Sequence, residues 1–293
     1  MLFTVLKCET ANSIQITGMS IFSLTKTAFA TGDYYKAMNE ALKSINGDYH
    51  MLHYPFYKDN KDSFSQAQNN LIEYCLQKFS VLADKDLLDI GCGNGVVALY
   101  VADHYSVNSV IGVDVNSNNV KIANEEKKKR NKNNVKFIEG DAQNLSQINS
   151  NSIDIIINIE SAFHYPQKEL FIDEIYRILK PGGQFVIADI LTTSKENMLL
   201  KGWKKKMNYY HWSFAKYRDA FNRSNLKLYT NDDITDKVIS GFKMYKKYFN
   251  EFSKNGIFRD TLLKLFFIIN VKLNIRLLKT KRRYYIFFGE KQL

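Results

Sequence analysis

Asp89-Ile90-Gly91-Cys92-Gly93-Asn94-Gly95 joins a short apolar run, Leu87 to Ile90, to a helical stretch, Val96 to Tyr105. Three glycines at that junction allow backbone angles closed to other residues and a close approach of the main chain to a ligand. The free N–H groups that open a helix add a place where negative charge is favoured. The spacing is G-x-G-x-G rather than the G-x-G-x-x-G of a dinucleotide fingerprint, and the strand delivers an acid, Asp89, before the first glycine.

The same alternation of strand and helix extends outward from this loop. Val110 to Val115, Val135 to Ile138, Ile153 to Ile159 and Phe185 to Ile190 are candidate strands, rich in Val and Ile and bounded by turn residues. Asn118 to Lys132 and Lys168 to Leu179 are candidate helices, the second predicted to stop at Lys180-Pro181-Gly182-Gly183 because proline cannot continue the ladder. Five strands with short helical crossovers imply a parallel sheet covered on both faces, with a ligand at the carboxyl ends of the strands. Asp114 closes the second strand, where a carboxylate can accept both hydroxyls of a ribose. Gly140-Asp141-Ala142 closes the third, where an acid can accept from an adenine amino group.

Ahead of this region, residues 32 to 80 read as helical around a loop at His53-Tyr54-Pro55-Phe56-Tyr57. Ala67, Leu71, Tyr74, Cys75 and Phe79 fall there at helical spacing. Behind it, Trp203 to Arg223 and Ile234 to Phe252 are predicted helices, and Leu226 to Tyr229 and Tyr284 to Gly289 predicted strands. Residues 262 to 278 are read as helix, although Val271 to Leu277 alternates as a strand would. The expected organisation is a helical cap over 1–80, a core over 81–190, and a lid or insertion with the final sheet strands over 191–293, integrated as one domain.

A chain of 293 residues, 45% hydrophobic and 14% aromatic, can bury a full core, which argues against long disorder. The longest uncharged stretch, Thr10 to Thr25, is too polar to span a membrane, and the segment between Lys7 and Ala28-Phe29-Ala30 too polar for a secretory leader. Cys8, Cys75 and Cys92 show no metal-ligand spacing and suit a reducing cytoplasm. The net charge of +11 is concentrated: residues 241 to 293 hold thirteen Lys and Arg against three acids. That tail is either a surface for an anionic neighbour or a solvated face.

Together with Arg177-Ile178-Leu179-Lys180-Pro181-Gly182-Gly183, these motifs resemble the class I methyltransferases that use S-adenosyl-L-methionine, continuously over residues 86 to 190. The resemblance implies an α/β fold: a Rossmann-like, doubly wound, mostly parallel sheet of seven strands with the last antiparallel. An N-terminal helical cap and a helical insertion before the last strand complete it. The resemblance also implies that Asp89 and the loop residues Gly91, Cys92, Gly93, Asn94 and Gly95 face the methionine portion of the cofactor. Asp114, with Val115 beside it, would bind the ribose, Asp141 and Ala142 the adenine, and Glu160-Ser161 would lie alongside; no metal is called for. Tyr54, Tyr57 and Gln66 resemble the H-Y-G-x-W…A-Q stretch of methyltransferases acting on lipids, tocopherols and methylated amines. Tyr54 and Gln66 are therefore assigned to the cofactor site, where aromatic rings can meet a sulfonium; packing of a tyrosine-rich cap is the other account. Asn231-Asp232-Asp233-Ile234-Thr235 is similar to a D-I-T segment of lipid O-methyltransferases.

Transfer from a sulfonium needs alignment, exclusion of water and, for some acceptors, removal of a proton. His164, in Glu160-Ser161-Ala162-Phe163-His164-Tyr165-Pro166, is the candidate base. Relatives with an E-S-x-H-H-M-P pattern carry the histidine proposed as catalytic where Phe163 stands, so His164 is read either as the base or as a pocket wall. Asp189, ending the fifth strand, is read either as an orienting carboxylate or as a loop anchor. The expected reaction is methyl transfer to a small lipophilic acceptor, first on oxygen, with nitrogen or carbon transfer and a non-catalytic cofactor-binding module as alternatives. Nucleic acid is disfavoured as substrate because Asn158-Ile159-Glu160-Ser161 stands where [DN]-P-P-[FY] is expected. The basic tail, with Leu262, Leu265, Phe266, Ile269 and Leu273, is read either as a peripheral contact with anionic membrane or as lid core. No oligomeric state is assigned.

Overall fold

The structure, a computed structural model, describes residues 2–9, 13–20, 53–59, 61–193, 208–252 and 259–292. The chain begins with β1 (Leu2–Glu9) and β2 (Ser13–Ser20), an antiparallel pair. Both strands lie ahead of residues 32 to 80, the stretch read as helical. The helical residues expected between 32 and 52 lie outside the described residues. α1 (Phe64–Leu76) follows, and the Ser63 side chain accepts from the N–H of Gln66 at 3.1 Å, satisfying a donor that a helix start leaves open.

The central sheet contains β3 (Asp86–Ile90), β4 (Ser109–Asp114), β5 (Val135–Glu139), β6 (Ile153–Ile159), β7 (Leu179–Thr192), β8 (Leu226–Asp233) and β9 (Arg282–Lys291). They run in the order β5-β4-β3-β6-β7-β9-β8, with β9 antiparallel to both its neighbours and the pairs from β5 to β7 parallel. The crossover helices are α2 (Val96–His104), α3 (Ser117–Lys129) and α4 (Lys168–Ile178). From β3 the chain steps one way to β4 and β5; from β6 it steps the other way to β7. The carboxyl ends of β3 and β6 thus flank the point where a doubly wound sheet opens a crevice.

Alternation along the strands divides the apolar side chains between two cores. Leu87, Ile155, Ile157, Val186, Ile286 and Phe288 pack with α1 and α2, whereas Leu88, Ile156, Phe185, Ile187 and Phe287 pack on the opposite face with α4. α5 (Phe214–Arg223) covers that second face through Tyr217, Ala220 and Phe221. Burial on both faces explains why these strands read as continuous apolar runs.

Beyond the core, α6 (Thr235–Phe252) and α7 (Arg259–Thr280) precede β9. The helical reading of 262–278 holds: Leu278 is buried, and Val271 and Ile275 pack against the first core, so the local alternation is overridden by helical packing. Of the helix expected over Trp203 to Arg223, α5 is observed; residues 208–213 are not helical, and 203–207 lie outside the described residues. Lys180-Pro181-Gly182-Gly183 is a distortion inside β7, where Leu179 pairs with Ile153 but Gln184 with Ile155; Gly182 takes φ +75° there. Among the described residues no helix is long and apolar enough to cross a membrane.

Candidate active site

The glycine loop hangs from the end of β4. The N–H groups of Gly91 and Cys92 both donate to the Val113 carbonyl, at 2.7 and 2.9 Å, and the N–H of Gly93 donates to Asp114 Oδ2 at 2.9 Å. Gly91, Gly93 and Gly95 take φ of +73°, +55° and +80°. Two of them also make room for protein rather than ligand. A Cβ on Gly91 would lie 2.3 Å from Ser161 Oγ and 2.7 Å from the Tyr165 hydroxyl, and one on Gly95 2.6 Å from Ala123 Cβ.

Below this loop lies a cavity of about 260 Å³, lined by the ends of β3, β4, β5 and β6. Asp89, Asp114 and Glu160 converge on it, and among its described lining residues there is no Lys or Arg. Asp89 is buried, and its Oδ2 has no hydrogen-bond partner among the described residues. Burial, reinforced by the charge of Asp114, pushes its carboxyl up to about 7. Glu160 takes φ +53°, a conformation costing about 1–3 kcal/mol outside glycine. Its Oε1 accepts from the Tyr54 N–H at 2.7 Å and the Tyr284 hydroxyl at 2.9 Å, yet burial still lifts the carboxyl to about 8. Asp114 is raised as well, by burial, against the pull of its donors Gly93, Asn116 and Asn119. Four acids, Asp89, Asp114, Asp141 and Glu160, on a lining with no Lys or Arg among the described residues make a site that favours a positively charged ligand.

Two imidazoles reach the lining, and both are held neutral. His164 Nδ1 lies 3.2 Å from the Asn208 carbonyl, and burial lowers the ring to about 4. Facing a carbonyl, Nδ1 carries the proton, which leaves Nε2 as the basic nitrogen. His53 is likewise buried and lowered to about 4. Phe163, Tyr209 and His211 stand beside His164, with Phe163–Tyr209 and Tyr209–His211 centroids 5.4 and 5.5 Å apart.

Of the residues singled out in the sequence, the cavity lining gathers Asp89, Gly91, Cys92, Gly93, Asn94, Asp114, Val115, Asp141, Ala142, Glu160, Ser161 and His164. Gly95 caps α2 behind it, and Tyr54 touches it through Glu160. Two residues are not brought in. Gln66 is exposed on α1 where Gln68 is buried, so the helix turns the assigned glutamine to solvent. Asp189 is fully buried in the second core, accepting from the Tyr217 hydroxyl at 2.5 Å and lying 3.5 Å from Lys168 Nζ; it anchors an ion pair instead of facing the cavity. His53, Asn119 and Tyr165 line the cavity without having been picked out. His53 had a signal, being the histidine directly before Tyr54, whereas Asn119 is recognisable only once α3 is docked.

A seven-stranded sheet with a reversed penultimate strand in space, a glycine loop after its first core strand and acids closing the first three is the architecture of class I S-adenosylmethionine-dependent methyltransferases. A family model described as a methyltransferase domain matches residues 82–255, and the chain belongs to that family. It is 32% identical to the methyltransferase GfsG of Streptomyces halstedii over 163 residues, 55% of this chain and 57% of that one. It is 34% identical to a fatty-acid O-methyltransferase of Mycolicibacterium smegmatis over 105 residues, 36% of this chain and 37% of that one. The chain thus matches little more than half of the first relative's length and about a third of the second's. The crystal structure of the [4+2]-cyclase SpnF superposes with a TM-score of 0.73 at 19% identity, covering 91% of this chain and 97% of that one, which speaks for the fold alone. The site fits the cofactor of the family: the unpartnered Asp89 Oδ2 suits an ammonium, and the acid-rich, cation-free lining suits a sulfonium.

Proposed function

We propose that the chain transfers a methyl group from S-adenosylmethionine to a small lipophilic acceptor, on oxygen. The observation that carries this reading is the convergence of Asp89, Asp114 and Glu160 on a cavity without Lys or Arg, next to a wall of Phe163, His164 and Tyr209. When bound, the cofactor supplies an electrophilic methyl group on a sulfonium. Asp89 and the loop from Gly91 to Gly95 are assigned to its methionine end, Asp114 to the ribose hydroxyls, and Asp141 to the adenine amine with Val115 and Ala142 at its faces. Val115, 71% exposed at the lining, is apolar surface that a flat ring would cover.

The remaining residues handle the acceptor. His164 presents an uncharged ring, and a group lowered to about 4 is a weak base. It can orient a hydroxyl or a carboxylate, but it is poorly matched to deprotonating an alcohol. Glu160, raised to about 8, is the stronger base on the lining. An acceptor that ionises by itself, such as a carboxylic acid or a phenol, asks for orientation only, and the similarity to a fatty-acid O-methyltransferase supports that class. The basic C-terminal region is assigned to an anionic membrane surface, where a lipophilic acceptor partitions.

Calorimetric titration with S-adenosylhomocysteine, followed by transfer of a labelled methyl group to long-chain acids, phenols and amines, tests the reading. Micromolar binding with transfer to an oxygen acceptor is expected. Absence of binding by the folded chain refutes the cofactor assignment; binding without transfer to any acceptor favours a non-catalytic cofactor-binding module. Transfer confined to amines refutes the choice of oxygen.

A further inference from the structure

α7 turns two different faces to its surroundings. At 100° per residue, Leu278 points about 180° from Ile269, and it is buried. Ile269, Lys272, Leu273, Arg276 and Lys279 instead share an arc of about 120° on the opposite side. Ile269 and Leu273 are each 45% exposed, and the three cations are exposed as well. The side chains of Leu262, Leu265 and Phe266 lie outside the described residues. From Thr261 to Gly289 the sequence contains no acid, so no residue of this stretch itself neutralises the stripe.

We propose that this outward face of α7 docks the protein on a membrane surface rich in anionic lipid, with Ile269 and Leu273 entering the headgroup boundary and Lys272, Arg276 and Lys279 meeting lipid phosphates. Apolar anchors and cations on one exposed side of a helix suit that interface, and charge complementarity selects anionic over neutral lipid. The proposal deepens the membrane assignment made for the basic region and rests on it, but it requires no methyl transfer. The inward side of the same helix reaches the site: the Tyr54 hydroxyl donates to Asn274 Oδ1 at 3.0 Å, and the Tyr54 N–H donates to Glu160. The docking face is therefore linked to the cofactor cavity through Tyr54 and Glu160.

The test is flotation of the full chain with vesicles of phosphatidylcholine alone or mixed with phosphatidylglycerol. Binding to the mixed vesicles, reversed by high salt, is expected. Neutralising Lys272, Arg276 and Lys279 together as Lys272→Gln, Arg276→Gln and Lys279→Gln should lower the partition coefficient on the order of a hundredfold, at about fivefold per cation. Ile269→Ser with Leu273→Ser should weaken it independently. S-adenosylhomocysteine affinity serves as the control for folding, and it should not change in either variant. If that affinity is absent even in the wild-type chain, the cofactor reading fails while the vesicle result still decides docking. No vesicle binding, equal binding to both vesicle types, binding unchanged in both variants, displacement by duplex RNA at low concentration, or a dimer that Ile269→Ser with Leu273→Ser dissolves would each overturn the proposal.

Discussion

Replacing Asp89 by asparagine is predicted to make the unliganded protein more stable and the cofactor site worse. Burial raises this carboxyl from 3.8 to about 7. An acid whose folded value lies above its unfolded one binds more protons in the native state, so its contribution to stability falls as pH rises between the two values. Above pH 7 burying the ionised carboxylate costs the fold about 4 kcal/mol, and at pH 5, where the folded group is protonated, its uptake of a proton costs about 1.5 kcal/mol, on the order-of-magnitude basis of about 1.4 kcal/mol per pH unit. Asn keeps the shape and removes the charge. Urea denaturation of Asp89→Asn without ligand should therefore show a gain approaching about 4 kcal/mol at pH 8 and a clearly smaller one at pH 5. The same variant should lose about 1.5–3 kcal/mol of S-adenosylhomocysteine affinity with its charged partner for the ammonium. A variant less stable than wild type at pH 8, or equally stabilised at both pH values, would refute the claim that Asp89 is held at a cost for ligand binding.

The other predictions concern its neighbours. Asp114→Ala should weaken S-adenosylhomocysteine binding by about 1.5–3 kcal/mol in calorimetry; unchanged affinity would remove the ribose assignment. Gly91→Ala, with its Cβ forced to 2.3 Å from Ser161 Oγ at φ +73°, should cost about 2–4 kcal/mol in denaturation. A change within about 0.5 kcal/mol would show that the loop relaxes easily. Asp189→Asn, which leaves buried Lys168 without its charge partner, should destabilise by about 3–5 kcal/mol and leave S-adenosylhomocysteine affinity intact; a selective loss of turnover in a stable protein would restore Asp189 to the catalytic machinery. Cofactor affinity should rise with pH through about 7 to 8 as Asp89 and Glu160 ionise, so that a flat calorimetric profile between pH 6 and 9 would contradict their raised values.

Much of the core was legible along the chain because it depends on local pattern. Short continuous runs rich in Val and Ile, bounded by turn residues, marked β3 to β7, and an acid at or beside the end of each of the first three strands marked where a nucleoside would lie. Those signals are short in range: a strand ending in an acid delivers that acid to the carboxyl edge whatever the rest of the chain does. Tertiary structure alone decided the rest. Gln66 and Gln68 are both polar residues on one amphipathic helix, and only the docking of α1 sends one outward and buries the other. Asp189 reads in the sequence as ending a strand like the other acids, yet β7 continues to Thr192, and Lys168 and Tyr217, brought to it by α4 and α5, seal it away from the cavity. Residues 262 to 278 satisfied two periodicities, and packing of Leu278 against the sheet chose the helix and turned Ile269 and Leu273 to the outside. The sequence by itself determined which side chains are apolar and the order of strands, helices and acids in the core. Which of the polar groups meet a partner, and so become ion pair, site or surface, depended on contacts between residues tens to hundreds of positions apart.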